Sequence, residues 1–139
     1  MLKLQLAMNT DMRLLVYTAL VSIVMWVPYI LAAIRTFGLK RMVGAYPTPA
    51  YNALPQWAQR LSRAHMNLVE NIGPFAVLVI VAQMTGAANE MTALGARLFF
   101  WARLVQIIVH TAGIPWTRTP AFAIGWIGNL IILVQILSK

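Results

Sequence analysis

The sequence predicts an all-α membrane protein, a bundle of four transmembrane helices, and three observations carry that reading. Hydrophobic residues make up 60% of the 139 residues and charged residues only 10%, where a soluble domain carries about 25% charge. A chain this poor in charge cannot cover a water-facing exterior, so the bilayer must be its solvent. Long charge-free runs recur: residues 14–34, 71–89 and 119–138 hold no Asp, Glu, Lys or Arg, and each approaches the ~20 apolar residues that cross a bilayer. Mean hydropathy, +0.73, agrees with both.

Each element follows from local sequence. Residues 1–12 form a short, weakly amphipathic lead. The first apolar run predicts a helix over about 13–36, with a kink at Pro28 because proline removes one helical hydrogen bond. Residues 37–56 hold Gly38, Gly44, Pro47, Pro49 and Pro55, so no regular element is expected to cross them. A second helix spans about 57–84, its first turns projecting beyond the bilayer. Thr85-Gly-Ala-Ala-Asn-Glu90 is a tight connection. The third helix, about 91–112, is interrupted by Arg97 and Arg103 and stopped by Gly113-Ile-Pro115; the fourth spans about 119–137. The whole reads as a single domain, 1–139. The first apolar run is too long for a signal-peptide core and lacks a small-residue cleavage site, so a cleaved leader is not expected.

Charge and cysteine content narrow the function. The net charge is +8, with only Asp11, Glu70 and Glu90 acidic. The basic residues cluster at helix ends and in the first loop, which membrane topology explains; no basic stripe with exposed aromatics points to nucleic acid. The first and third loops with their helix ends carry Arg35, Lys40, Arg41, Arg60, Arg63 and Arg118, against Lys3, Arg13, Arg97 and Lys139 on the other side. That bias puts those loops in the cytoplasm and both termini on the opposite side; the expected location is a bacterial inner membrane. There is no cysteine, which excludes disulfides and protein thiolates, and no metal is expected.

Ionisable groups inside membrane helices persist where they pair or line a cavity, and two such stripes occur. Arg60, Arg63, Asn67 and Glu70 fall within about 80° of arc on the second helix; Arg103, Gln106 and His110 fall within about 60° on the third. Pro74 lies four residues after Glu70, so the Glu70 carbonyl loses its helical partner. Bland readings stand beside the functional one. Glu70 forms a structural ion pair with Arg103 or Arg35, His110 is a packing residue, Arg60 and Arg63 snorkel to headgroups, and Arg118 sets topology. Trp26, Trp57, Trp101, Trp116 and Trp126 read as interfacial or lipid-facing anchors. Convergence of one acid and several arginines near one membrane face suits an anionic polar ligand with an amino group.

The stretch Gln59-Arg-Leu-Ser-Arg63-Ala-His-Met-Asn67-Leu-Val-Glu70-Asn-Ile-Gly-Pro74-Phe75 resembles the signature of the MAPEG family, membrane-associated proteins in eicosanoid and glutathione metabolism. Gly113-Ile-Pro115-Trp-Thr-Arg118-Thr119, following Arg103 and His110, is similar as well, and the likeness covers nearly the whole chain. It implies a homotrimer of four-helix subunits with glutathione between neighbours near the cytoplasmic side. Asn67 and Glu70 would hold the γ-glutamyl end, Glu70 on its ammonium group, and Arg35 a glutathione carboxylate. Arg118 would sit by the sulfur with Thr119 beside it, and Arg63, Arg103 and His110 would complete the binding set. Departures are Met66 where several members carry arginine, His110 near a usual tyrosine, Gln106 for a histidine, and Phe122 where prostaglandin E synthase has tyrosine; they imply altered thiol binding. The resulting expectation is a membrane glutathione transferase or peroxidase acting on hydrophobic electrophiles or lipid peroxides, with glutathione as co-substrate. The alternative is a catalytically silent membrane scaffold or lipid-binding protein of the same fold.

Overall fold

The computed structural model describes residues 8–44 and 50–139; Lys3, Pro47 and Pro49 lie outside the described residues. Among the described residues five α-helices run in chain order: α1 Thr10–Phe37, α2 Leu39–Met42, α3 Gln56–Met84, α4 Glu90–Ala112 and α5 Arg118–Leu137. No strand occurs among the described residues. Four of the helices, all but α2, are long and apolar enough to cross a membrane.

Helix ends differ from the sequence expectation where capping decides them. α1 begins at Thr10 rather than 13 because the Asn9 side chain accepts a hydrogen bond from the Met12 amide at 3.0 Å, satisfying a donor that the helix leaves free. α4 begins at Glu90 rather than 91 because Asn89 and Thr92 form a reciprocal capping box. α3 and α5 each start one residue earlier than expected, at Gln56 and Arg118. α1 and α3 run on through Pro28 and Pro74. The connection 37–56 was expected to lack regular elements, but it holds the single turn α2 and a 3-10 turn at Tyr51–Ala53. Gly38, at φ 79°, lets the chain leave α1 and restart at once, since that conformation suits a residue without Cβ.

Small residues bring the helices together, as they do where lipid removes the hydrophobic drive for association. A Cβ on Gly95 would lie 2.5 Å from the Gly128 carbonyl oxygen, so α4 and α5 touch backbone to backbone. α4 also packs against α1 and α3. Two apolar clusters form. One joins α1 to the first half of α3 through Tyr29, Ala33, Ala58, Leu61 and Leu68. The other joins the second half of α3 to α4 and α5 through Phe75, Val79, Ala96, Phe99 and Ile132, with Phe75 stacked on Phe99 at 4.0 Å. His65 ties α3 to α1 through the Tyr29 hydroxyl at 2.9 Å. Between the clusters, along α3, lie Asn67 and Asn71. All five tryptophans are exposed, as anchors facing lipid or its interface would be.

Candidate functional site

Arg103 organises the polar layer. It is 2% exposed, and a guanidinium at that depth is costly unless its donors are met. Its Nη1 donates to Asn67 Oδ1 at 3.0 Å and to Gln106 Oε1 at 2.7 Å, and Nη2 donates to Asn71 Oδ1 at 3.1 Å. Phe99 and Phe122 place their rings 5.1 and 5.0 Å from its central carbon, within cation–π range. Gly125 makes room: a Cβ there would lie 3.3 Å from Arg103 Nε. That Nε is buried without a hydrogen-bond partner among the described residues.

This arrangement corrects one sequence reading. Arg103 does not pair with Glu70; side-chain amide oxygens accept from its donors instead. Glu70 is exposed and has no side-chain partner among the described residues. The reason is angular. Asn67 and Asn71 share the face of α3 turned to α4, while Glu70 lies about 80° round the helix.

The network also settles which way Asn67 faces. Arginine only donates, so Asn67 must turn its oxygen to Arg103. Gln106, having offered its own oxygen to Arg103, donates Nε2 to the same Asn67 oxygen at 3.0 Å. The carboxamide N–H group of Asn67 is left for the other side. Asn67 also lines a pocket of about 320 Å³ with Arg118, Thr119 and Phe122. Arg118 and Thr119 open α5, whose first turn has no side-chain cap, so free amides and the positive helix end add to the guanidinium. Donors on three sides and Phe122 as an apolar wall suit an anion carried on a small organic molecule.

The other predicted residues are distributed unevenly. Arg60, Arg63 and Arg118 all come within electrostatic range of half-buried His110, so the ends of α3, α4 and α5 converge on one membrane face. Arg60 does more than reach for headgroups: its Nε donates to the Thr111 carbonyl at 3.0 Å, and it underlies Gly113, where a Cβ would lie 2.9 Å from the guanidinium carbon. Arg63 is exposed. Arg35 is not brought to the Asn67–Arg118 pocket within one chain; it lines a separate pocket of about 410 Å³ with Thr36, Pro55 and Trp57. Asn71 escaped the sequence reading, although its spacing of four from Asn67 puts both on one helix face.

The family model described as "MAPEG family" matches residues 14–138. Bovine microsomal glutathione S-transferase 1 is 32% identical over 82 residues, covering 58% of this chain and 53% of the bovine protein. The match therefore spans about half the length of that relative. No solved structure matches significantly.

Proposed function

This chain belongs to the MAPEG family and is an integral membrane protein, and from that premise we propose that it is a membrane-bound glutathione transferase or peroxidase. It would activate the glutathione thiol for attack on hydrophobic electrophiles or lipid peroxides. The observation that carries the reading is the pocket where Asn67, Arg118 and Thr119 converge on one side of a buried arginine network. Similarity to a microsomal glutathione S-transferase supports the choice of thiol.

The residues fit the tripeptide in kind. The Asn67 N–H group offers a donor to the α-carboxylate of the γ-glutamyl end. Glu70, one turn along α3 and without an internal partner, suits its ammonium group. Arg118 suits the sulfur. A free thiol titrates near 8.5, and an adjacent guanidinium favours the thiolate, the reactive form; the released proton passes to water. Thr119 supplies a hydroxyl donor beside it. Glutathione supplies the thiol, which is why the protein needs no cysteine.

The reading takes residues 1–139 as one four-helix domain that assembles as a homotrimer. Glu70, Arg63 and Arg35 are exposed on the single chain, and Arg35 lies away from Asn67, so a neighbouring copy is what would bring Arg35 to the ligand. The pocket would face the cytoplasm, with both termini on the opposite side of a bacterial inner membrane. A second reading, a silent scaffold of the same fold, draws on Phe122: it lines the pocket, is engaged by Arg103 and offers no hydroxyl. Exposed Met66 offers no donor either.

Thiolate absorbance decides between them. Protein in detergent titrated with glutathione should give a saturable ultraviolet thiolate signal that Arg118→Ala removes. No signal at millimolar glutathione would favour the silent scaffold.

A further inference from the structure

A larger cavity, about 560 Å³, opens between α4 and α5 on the face of α5 opposite Arg118, Thr119 and Phe122. Buried Ala102 and Ala121 form its floor, and the exposed side chains of Trp101 and Ile124 stand on its walls. The small floor residues make the groove; the same alanines let the helices pack while leaving no side chain to fill the space above them. Among the described residues its lining is apolar except for Thr117 and, at one end, Arg97, the one charged residue of the lining. Trp116, which is 91% exposed and at φ 67°, stands at the other end.

Arg97 is the second observation. It lies seven residues, about 10 Å, into α4, within the apolar span, and is exposed. It has no ion-pair partner among the described residues. Glu90, the acid on the same face of α4, is two turns away, about 10 Å. Helical Cβ atoms tilt toward the N-terminus, so the Arg97 guanidinium extends toward the membrane face at the Glu90 end, the level of lipid phosphates. From Arg97 the groove follows α4 for about 12 Å to Val105 and is open to the bilayer along its side.

We propose that this groove is a binding seat for an anionic phospholipid of the leaflet at the Glu90 end, its phosphate on Arg97 and one acyl chain lying over Ala102 and Ala121 toward Trp116. The open side leaves the second chain in the bulk bilayer, which favours a two-chain lipid over a fatty acid. The lipid supplies the charge that Arg97 lacks and packs the α4–α5 seam from outside. The seat is independent of the thiol site, which lies on the other face of α5.

Native mass spectrometry in detergent tests it, with dioleoyl phosphatidylglycerol, dioleoyl phosphatidylcholine and oleate as probes. One phosphatidylglycerol per chain should be retained about fivefold more tightly than phosphatidylcholine, the preference that one arginine near an anionic headgroup confers. Arg97→Gln should abolish that preference for this one lipid and Arg97→Lys should keep it. Ala121→Leu should reduce retention of both lipids; Val105→Trp does the same from the exposed rim if the buried alanine does not tolerate bulk. Equal retention of both lipids by wild type, an unchanged preference in Arg97→Gln, or tighter retention of oleate than of phosphatidylglycerol would each overturn the assignment.

Discussion

Arg103 and Arg118 stand on neighbouring helices and touch the same small region, yet the protein treats them oppositely. Arg103 is sealed: amide oxygens meet its fork, two phenylalanine rings cover its faces and it has no acidic partner among the described residues. Arg118 is open: exposed, in the first turn of α5, and on the wall of a pocket. Asn67 joins them, its oxygen given to the first while it lines the same pocket as the second. The difference teaches that a cation satisfied from within acts as framework, while a cation left unsatisfied beside a cavity is available to a ligand.

The contrast can be broken most severely at the framework. Arg103→Met takes the donor from the Asn71 and Gln106 oxygens and one of two donors from the Asn67 oxygen, and each polar group left unsatisfied costs about 1–3 kcal/mol. Thermal unfolding in detergent should show it, and Arg103→Lys should not restore stability, because an ammonium cannot reproduce the fork. At the open arginine the expectation reverses. Arg118→Ala should lower turnover by about 10²–10³-fold, the scale for removing one charge-stabilising donor, with the melting temperature unchanged; a large fall in melting temperature would make Arg118 framework too. Glu70→Gln should weaken glutathione binding by about 10–100-fold, the worth of a hydrogen bond to a charged group, measured by equilibrium dialysis. If size measurements show that this variant no longer assembles, Glu70 holds the oligomer and not the ligand. The smallest effect is at Gly125→Ala, where a methyl would press on Arg103 at 3.3–3.5 Å. A loss of about 1 kcal/mol, the scale of mild overpacking, would confirm that the seal is tight.

The membrane spans were legible because hydropathy and charge gaps are summed over some twenty residues, so single exceptions such as Arg97 do not erase them. Their ends were less so: Asn9 moves the start of α1 through one side-chain hydrogen bond, which no average over a window contains. In the site, the spacing of Arg103 with Gln106, and of Asn67 with Glu70, showed that polar faces exist on both helices. It did not show how far each helix is rotated toward its neighbour. Charge alone pairs Glu70 with Arg103, and only the rotation of α3 makes Asn67 and Asn71 the partners. Asn71 is the clearest loss, an uncharged residue in an apolar run whose role depends wholly on what faces it. Arg35 carries the opposite lesson: resemblance assigns it a ligand that a single chain does not bring within its reach.

The bond from Arg60 to the Thr111 carbonyl spans 51 residues of chain, and it has a consequence for biogenesis. Contacts this distant in sequence cannot form until the intervening chain has been made and threaded, and closing such loops is slow. Synthesis must pass Thr111 before Arg60 meets its acceptor, and must continue through Arg118 before the turn held over that guanidinium displays its own cation. The pocket is therefore among the last features to mature during membrane insertion, and a nascent chain halted after the third span has Arg103 to meet Asn67 but no Arg118 to complete the pocket.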